Sequence, residues 1–173
     1  MKMKWAMPGL VAVIGVALIG GNLILSKNGS SQSLVAVPGD WKRVELDHFS
    51  FSVPPDLKRE STTAVDSSVW VFSSDHIRLV IDFGPYSNNL EVYHTQPGFS
   101  EELVEIAGKK AKIASFRLDD RFANNAHRGL RFVAAAYFAS SVSDSQKLTF
   151  WVNCNGSSEQ QIAKTIFHSI RFK

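Results

Sequence analysis

The chain has 173 residues, with 19 lysines and arginines against 16 aspartates and glutamates. Setting aside Lys2 and Lys4 at the extreme N-terminus leaves 17 basic residues against those 16, a balance that argues against a nucleic-acid-binding surface. A single cysteine, Cys154, excludes an intrachain disulfide and every paired-cysteine metal motif.

Residues Trp5 to Leu25 carry no ionisable side chain; they are entered through Lys2 and Lys4 and left at Lys27. At ~1.5 Å of rise per residue, a helix over this span is roughly 30 Å long, the thickness of a bilayer's hydrocarbon core. A buried helix of a soluble domain is the plainer explanation, but such helices are shorter and keep one polar face. Leu10 to Ile19 alone has the length of a signal-peptide core, yet Leu23-Ile24-Leu25 extends the stretch to spanning size and favours an uncleaved anchor. Small residues at Gly29, Ser31 and Ser33 keep cleavage and secretion as the alternative. No cysteine follows the apolar run, so a lipoprotein-type N-terminus is excluded. The lysine distribution puts the N-terminus in the cytoplasm and residues 27–173 on the extracytoplasmic side, periplasmic or extracellular. Residues 1–26 thus read as a signal anchor or signal peptide, and residues 27–40, rich in Ser, Gly and Asn, as a flexible tether. Residues 41–173 have single-domain length and contain all 12 Phe, all three Tyr and three of the four Trp, enough to build a core.

Within that domain, period-two alternation dominates. Val44 and Leu46, then Phe49, Phe51 and Val53, alternate with polar residues across the turn Asp47-His48, and Pro54-Pro55 stops the second run because proline donates nothing to a ladder. A short helix is expected around Ser61 to Ser67. Val69 to Phe72 and Ile77 to Phe83 follow as strands on either side of Ser73-Ser74-Asp75. A second helix is expected over Glu91 to Glu105, although its apolar spacing is poor and Pro97-Gly98 interrupts it. Leu103 to Ala107 and Lys110 to Leu118 flank Gly108, and Leu130 to Phe138 and Leu148 to Cys154 flank a polar loop. The chain closes on a helix capped by Ser157 or Ser158, with Gln160 or Gln161 completing a capping box and Ile162, Ile166 and Ile170 forming its stripe. The expected fold is α+β: an antiparallel β-sheet of about six to eight strands with a C-terminal helix packed on one face, preceded by one N-terminal transmembrane or signal helix.

Three segments carry a family likeness: Phe49-Ser50-Phe51-Ser52-Val53-Pro54-Pro55, the strand-Gly-Lys-Lys-Ala step within Ile106 to Ile113, and the closing Ile166-Phe167-His168-Ser169-Ile170-Arg171-Phe172. Together they resemble the small α/β/α sandwich domains related to PsbP, the lumenal extrinsic subunit of photosystem II, and to a nuclear-import factor that binds the GTPase Ran. The resemblance covers most of residues 41–173 and implies a fold whose members are mostly non-enzymatic partners. It assigns no functional residue here, because the shared motifs are structural.

Catalytic signatures are absent from the sequence: no Gly-x-Ser-x-Gly elbow, no His-Glu-x-x-His and no phosphate-binding loop. Cys154 falls on the core side of its strand with Leu148, Phe150 and Val152 and reads as a buried small hydrophobe. His76, Arg78 and Asp82 share the outward side of one strand, but about 20 Å separates the outer two, too far for an acid/base pair. His168 at a helix C-terminus is favoured there as a cation. His48 lies in a turn, and His94 and His127 lie in loops without ligand spacing. Glu101-Glu102 and Asp119-Asp120 point to opposite faces or to solvent. Neither a metal ion nor another cofactor is implied. Between Lys109 and Arg131 seven basic residues face two acidic ones, so Lys110, Lys112 and Arg131 are the candidate binding residues, a basic face for anionic lipid or an acidic protein partner. The sequons at Asn28 and Asn155 are short matches, and Asn155-Gly156 is more simply a turn. The expected function is a non-catalytic binding or assembly module anchored in the membrane through residues 5–25. A hydrolase or other enzyme with a loop-assembled site, or a small-ligand or lipid carrier, is the alternative.

Overall fold

The alternation over residues 44–53 forms a hairpin in the computed structural model, which describes residues 36–63, 66–120, 129–141, 143 and 145–173. The stretch Trp5 to Leu25 lies outside the described residues. Strands β1 (Lys42–Glu45) and β2 (Phe49–Val53) pair antiparallel, with the Leu46 N–H donating to the Phe49 carbonyl across Asp47-His48. Pro54-Pro55 ends β2 as expected. All five residues of β2 are buried, Ser50 and Ser52 included. The reason is position: β2 is the middle strand of a three-stranded sheet, between β1 and the closing strand β10 (Arg171–Phe172). Arg43 donates to the Ser50 hydroxyl, and the Ser169 hydroxyl accepts from the Ser52 N–H at 2.8 Å, so the second face of β2 is covered too.

The remaining strands build a larger antiparallel sheet. Its members are β3 (Lys58–Glu60), β4 (Ser68–Ser73), β5 (Ile77–Gly84), β6 (Ser100–Ile106), β7 (Lys109–Arg117), β8 (Phe132–Phe138) and β9 (Lys147–Cys154), in the order β3-β4-β5-β9-β8-β7-β6. The described residues therefore form ten strands in two sheets, where one sheet of about six to eight was expected. β3 and β10 are three and two residues long, too short to leave a period-two pattern. β6 and β7 turn through Ala107 and Gly108, both at positive φ (50° and 77°), the backbone that a two-residue type I′ hairpin requires.

Two expected helices give way. Glu91–Tyr93 forms a single 3-10 turn and Ser100 already begins β6. Gly98, at φ 69°, sits between them and supplies the left-handed bend that a continuous helix excludes. Residues 61–63 and 66–67 are not helical, and Thr62 instead donates its hydroxyl to the Val69 carbonyl, tying the β3–β4 connection to β4. The C-terminal helix α1 (Ser157–His168) stands, but its cap is Gly156 in an extended conformation, with no side-chain hydrogen bond from a serine. Ile170 lies beyond the helix and is fully buried.

Helix α1 and β2 cover one face of the large sheet, the inner face. Phe49 and Phe51 meet Phe150 at ring separations of 5.8 and 5.2 Å, and Phe167 of α1 meets Phe150 at 6.2 Å. Leu79, Ile81, Ile113, Leu148, Val152, Ala163 and Ile166 fill the space around them. Burying a Phe or Leu side chain stabilises by about 1.5–3 kcal/mol, so this aromatic layer is the main source of stability.

Candidate functional site

The opposite face of the large sheet is where side chains remain available. Strand register places Leu103, Lys112, Tyr137, Thr149, Asp82 and Val69 in one transverse row across β6, β7, β8, β9, β5 and β4. The next rows are apolar in part: Ala114, Ala135 and Trp151 beside Glu101, then Phe116 and Val133 beside Asn153 and Arg78. A strap formed by residues 85–99 crosses this apolar part. Tyr93 stacks on Phe116 at 5.2 Å and tilts against Trp151 at 4.8 Å, Phe99 lies 6.0 Å from Phe116, and Leu90 is fully buried beneath. Polar ties fasten both ends of the strap. The Ser87 hydroxyl meets the Thr149 hydroxyl at 2.7 Å, Thr149 donates to the Asn88 carbonyl, the Gln96 side-chain carbonyl accepts the Asp119 N–H, and the Pro97 carbonyl accepts the Arg117 N–H.

The candidate basic residues do not converge. Lys112 sits in the row just described, half-buried, with its ammonium 3.5 Å from Glu101, which also lies 3.5 Å from His94 of the strap. Lys110 is on the same face but directly opposite Glu105. Arg131 pairs with Asp120 and, at the register of Leu118, stands about 20 Å along the sheet from Lys112, beyond the strap. Each cation of the expected basic face is thus set against a carboxylate. Tyr137 lies between Lys112 and Thr149; burial pushes its hydroxyl above the usual phenol range and the Glu91 carboxylate adds to that push.

Groups with catalytic potential have structural duties. Cys154 is fully buried; its thiol donates toward the Phe132 and Gly156 carbonyls, and burial with the nearby Glu159 charge pushes its pKa up to about 12. His48 packs on Phe83, and His94 on Phe99. His76 precedes β5 and meets the Asn155 amide at 3.0 Å. His168 differs from expectation: burial lowers its pKa and outweighs the helix-end preference for a cation. Glu101 and Glu102 do take opposite faces, the second pairing with Lys164 of α1 at 2.8 Å. Asp82 holds one side-chain oxygen that is shielded from solvent and has no hydrogen-bond partner. The alternation placed Asp82 outward without showing that Val69 of β4 and Thr149 of β9 would flank it in register. His127 lies outside the described residues.

The strand expected over Leu103 to Ala107 is β6, three residues longer at its start, but its alternation did not mark it as a site. It forms one edge of the large sheet, with its first four residues exposed, and Leu103 at its centre is 80% exposed. Val92 and Tyr86 on the strap are exposed as well, at 71% and 82%. A shallow polar depression of about 240 Å³ opens on the helix side of the same edge, between Ser100, Glu102, Ser115 and Lys164. It is smaller than the ~300–1,000 Å³ of ordinary small-molecule sites. Among the described residues no cluster of three or more His, Cys, Asp or Glu side chains is placed to hold a metal ion, and no helix is long and apolar enough to cross a membrane. No protein-family model matches the chain, and no curated protein matches it.

Proposed function

We propose that residues 41–173 serve as a binding or assembly module, held on the extracytoplasmic side of a membrane by Trp5–Leu25, and that the module docks a protein partner along β6. The observation that carries this reading is Leu103, a large apolar side chain 80% exposed in the middle of a free sheet edge. An edge strand presents unpaired backbone donors and acceptors, and an extended segment of another protein adds to it through main-chain hydrogen bonds while alternate side chains select the partner. Glu101, Glu102 and Glu105 along the same strand disfavour pairing of two copies through β6, since like charges would be apposed. They favour a partner strand that brings an apolar residue to Leu103 and lysine or arginine beside it. Because Lys110 and Lys112 each face a glutamate, the apolar edge outranks the lysines as the point of contact. The resemblance to PsbP-like domains, mostly non-enzymatic partners, supports the same reading.

A photoreactive side chain placed at position 103 of the full chain, irradiated in native membranes, tests it. The expected result is one discrete protein adduct, absent when the same group replaces Asp56, an exposed residue far from β6 in the strand order. Adducts to lipid alone, or equal adducts from both positions, overturn the proposal.

A further inference from the structure

Two features share one margin of the large sheet: the outer edge of β6 and the polar depression of about 240 Å³ on its helix side. The hairpin determines which residues of β6 offer their main chain to that edge. Ala107 and Gly108 make a two-residue turn, so the flanking pair, Ile106 and Lys109, exchanges hydrogen bonds. Bonded pairs then alternate along the ladder: Val104 with Ala111, Glu102 with Ile113, Ser100 with Ser115. Beyond the ladder the same parity holds, since the Arg117 N–H donates to the Pro97 carbonyl and the Leu118 N–H to the Arg131 carbonyl of the opposite neighbour. Glu101 and Leu103 therefore direct their N–H and C=O groups away from β7, to the side where, among the described residues, β6 has no neighbouring strand. Their side chains stand on the outer face, whereas Glu102, opposite Ile113, stands on the inner face.

We infer that the depression receives one glutamine side chain of the strand that adds to β6, which rests on the docking along β6 proposed above and makes edge and depression a single recognition site. A strand laid along Leu103 turns alternate side chains to the inner face, and the one apposed to Glu102 stands at the mouth of the depression. Its lining is Ser100, Glu102, Ile113, Ser115 and Lys164. Glu102 and Lys164 pair at 2.8 Å, so an acceptor and a donor lie side by side there. A carboxamide meets both at once, its NH₂ donating to the Glu102 carboxylate and its carbonyl accepting from the Lys164 ammonium. A charged side chain meets a like charge in one of the two, and an apolar one leaves both without a new partner. The floor lies over Ile113 and Ser115 of β7, one strand in from the edge, so the side chain must be long; glutamine reaches where asparagine falls short. A volume below that of ordinary small-molecule sites suits a single side chain. Apolar contact at Leu103, lysine or arginine at Glu101 and glutamine at Glu102 then define the partner segment.

The probe is a fluorescein-labelled peptide with the order lysine, glutamine, valine, glutamine, lysine, flanked by threonines; it is the same in either strand direction. Fluorescence anisotropy follows its binding to the full chain in detergent micelles. Binding is expected, weakened about tenfold when leucine replaces both glutamines and abolished by Leu103→Asp. Lys164→Met should remove the preference for glutamine while still binding the leucine peptide, which shows that the variant is folded. Equal binding of the two peptides to the parent chain, or a glutamine preference that survives Lys164→Met, overturns the inference; docking along β6 itself stands if Leu103→Asp abolishes both. Absence of peptide binding overturns it too, and the position-103 adduct then decides the docking separately. Binding undiminished by Leu103→Asp overturns both.

Discussion

Cys154 and Asp82 stand at opposite ends of what burial does to a polar group. The thiol of Cys154 tolerates enclosure because it is a weak donor with two carbonyls in reach, and its pKa near 12 leaves almost no thiolate at neutral pH. A thiol reagent at pH 8 should therefore leave the native protein unlabelled and react fully once the chain is denatured; rapid native labelling would contradict the burial. Asp82 is less well served, since one of its oxygens is shielded from solvent and meets no protein donor. Its row neighbours are Val69 and Thr149, so a β-branched residue suits the site. Asp82→Val should raise stability by about 1 kcal/mol, read as a higher urea midpoint, because it removes an unsatisfied carboxylate oxygen and adds apolar contact. A lower midpoint would mean that the carboxylate serves a group bound in the native protein.

At the scale of elements, the join between α1 and β2 is the most informative. β10 begins only at Arg171, so the Ser52 N–H on β2 runs past its end and finds the Ser169 hydroxyl, which also donates to the Ile166 carbonyl at 2.6 Å. Ser169→Ala should cost about 1–3 kcal/mol by stranding a buried N–H, measurable by chemical denaturation. His168 adds a pH dependence. Its folded pKa lies below the ordinary 6.5 because burial, with Lys164 nearby, disfavours the cation more than Glu102 favours it. The unfolded chain then binds the proton more readily, so stability is full above about pH 6.5 and falls as pH drops toward the folded value. His168→Gln should flatten the melting-temperature profile between pH 7 and 5, and an unchanged slope would place the proton elsewhere. Long strands such as β5 were legible because one of their faces is wet; β2 was legible as a strand but not as a doubly covered one. Short β3 and β10 were illegible, since three or two residues cannot show a period. The strap was misjudged as a helix because its aromatic residues answer to partners on β7 and β9 rather than to helical spacing. Lys110, Lys112 and Arg131 could be found by composition, whereas the carboxylates opposite them are brought in by register.

For the whole molecule, two separate surfaces divide the work. The inner face of the large sheet, under α1 and β2, is packed with aromatic rings and holds the fold; the outer face and its β6 edge carry what is left to meet other molecules. A change at the edge should therefore separate binding from stability: Leu103→Asp should shift the unfolding midpoint by no more than about 0.5 kcal/mol while abolishing the position-103 adduct's protein partner in competition with the parent chain. The anchor reading has its own check. Intact mass of the protein extracted from membranes should include residues 1–26, and a mass starting within residues 27–40 would convert the module into a freely diffusing one.

The three-stranded sheet joins residues 42–53 to residues 171–172, the widest sequence separation of any pairing in the fold. Its middle strand can gain its second neighbour only after position 172 has arrived, when the Lys173 N–H also closes onto the His48 carbonyl. A chain emerging residue by residue during synthesis, N-terminal end first, thus carries a half-made hairpin until its last residues arrive. Loop closure over so long a span is slow and comes late. The fold is consequently timed by its own topology: it stays open at β2 while the chain is still growing, and tightens in a final step when β10 pairs.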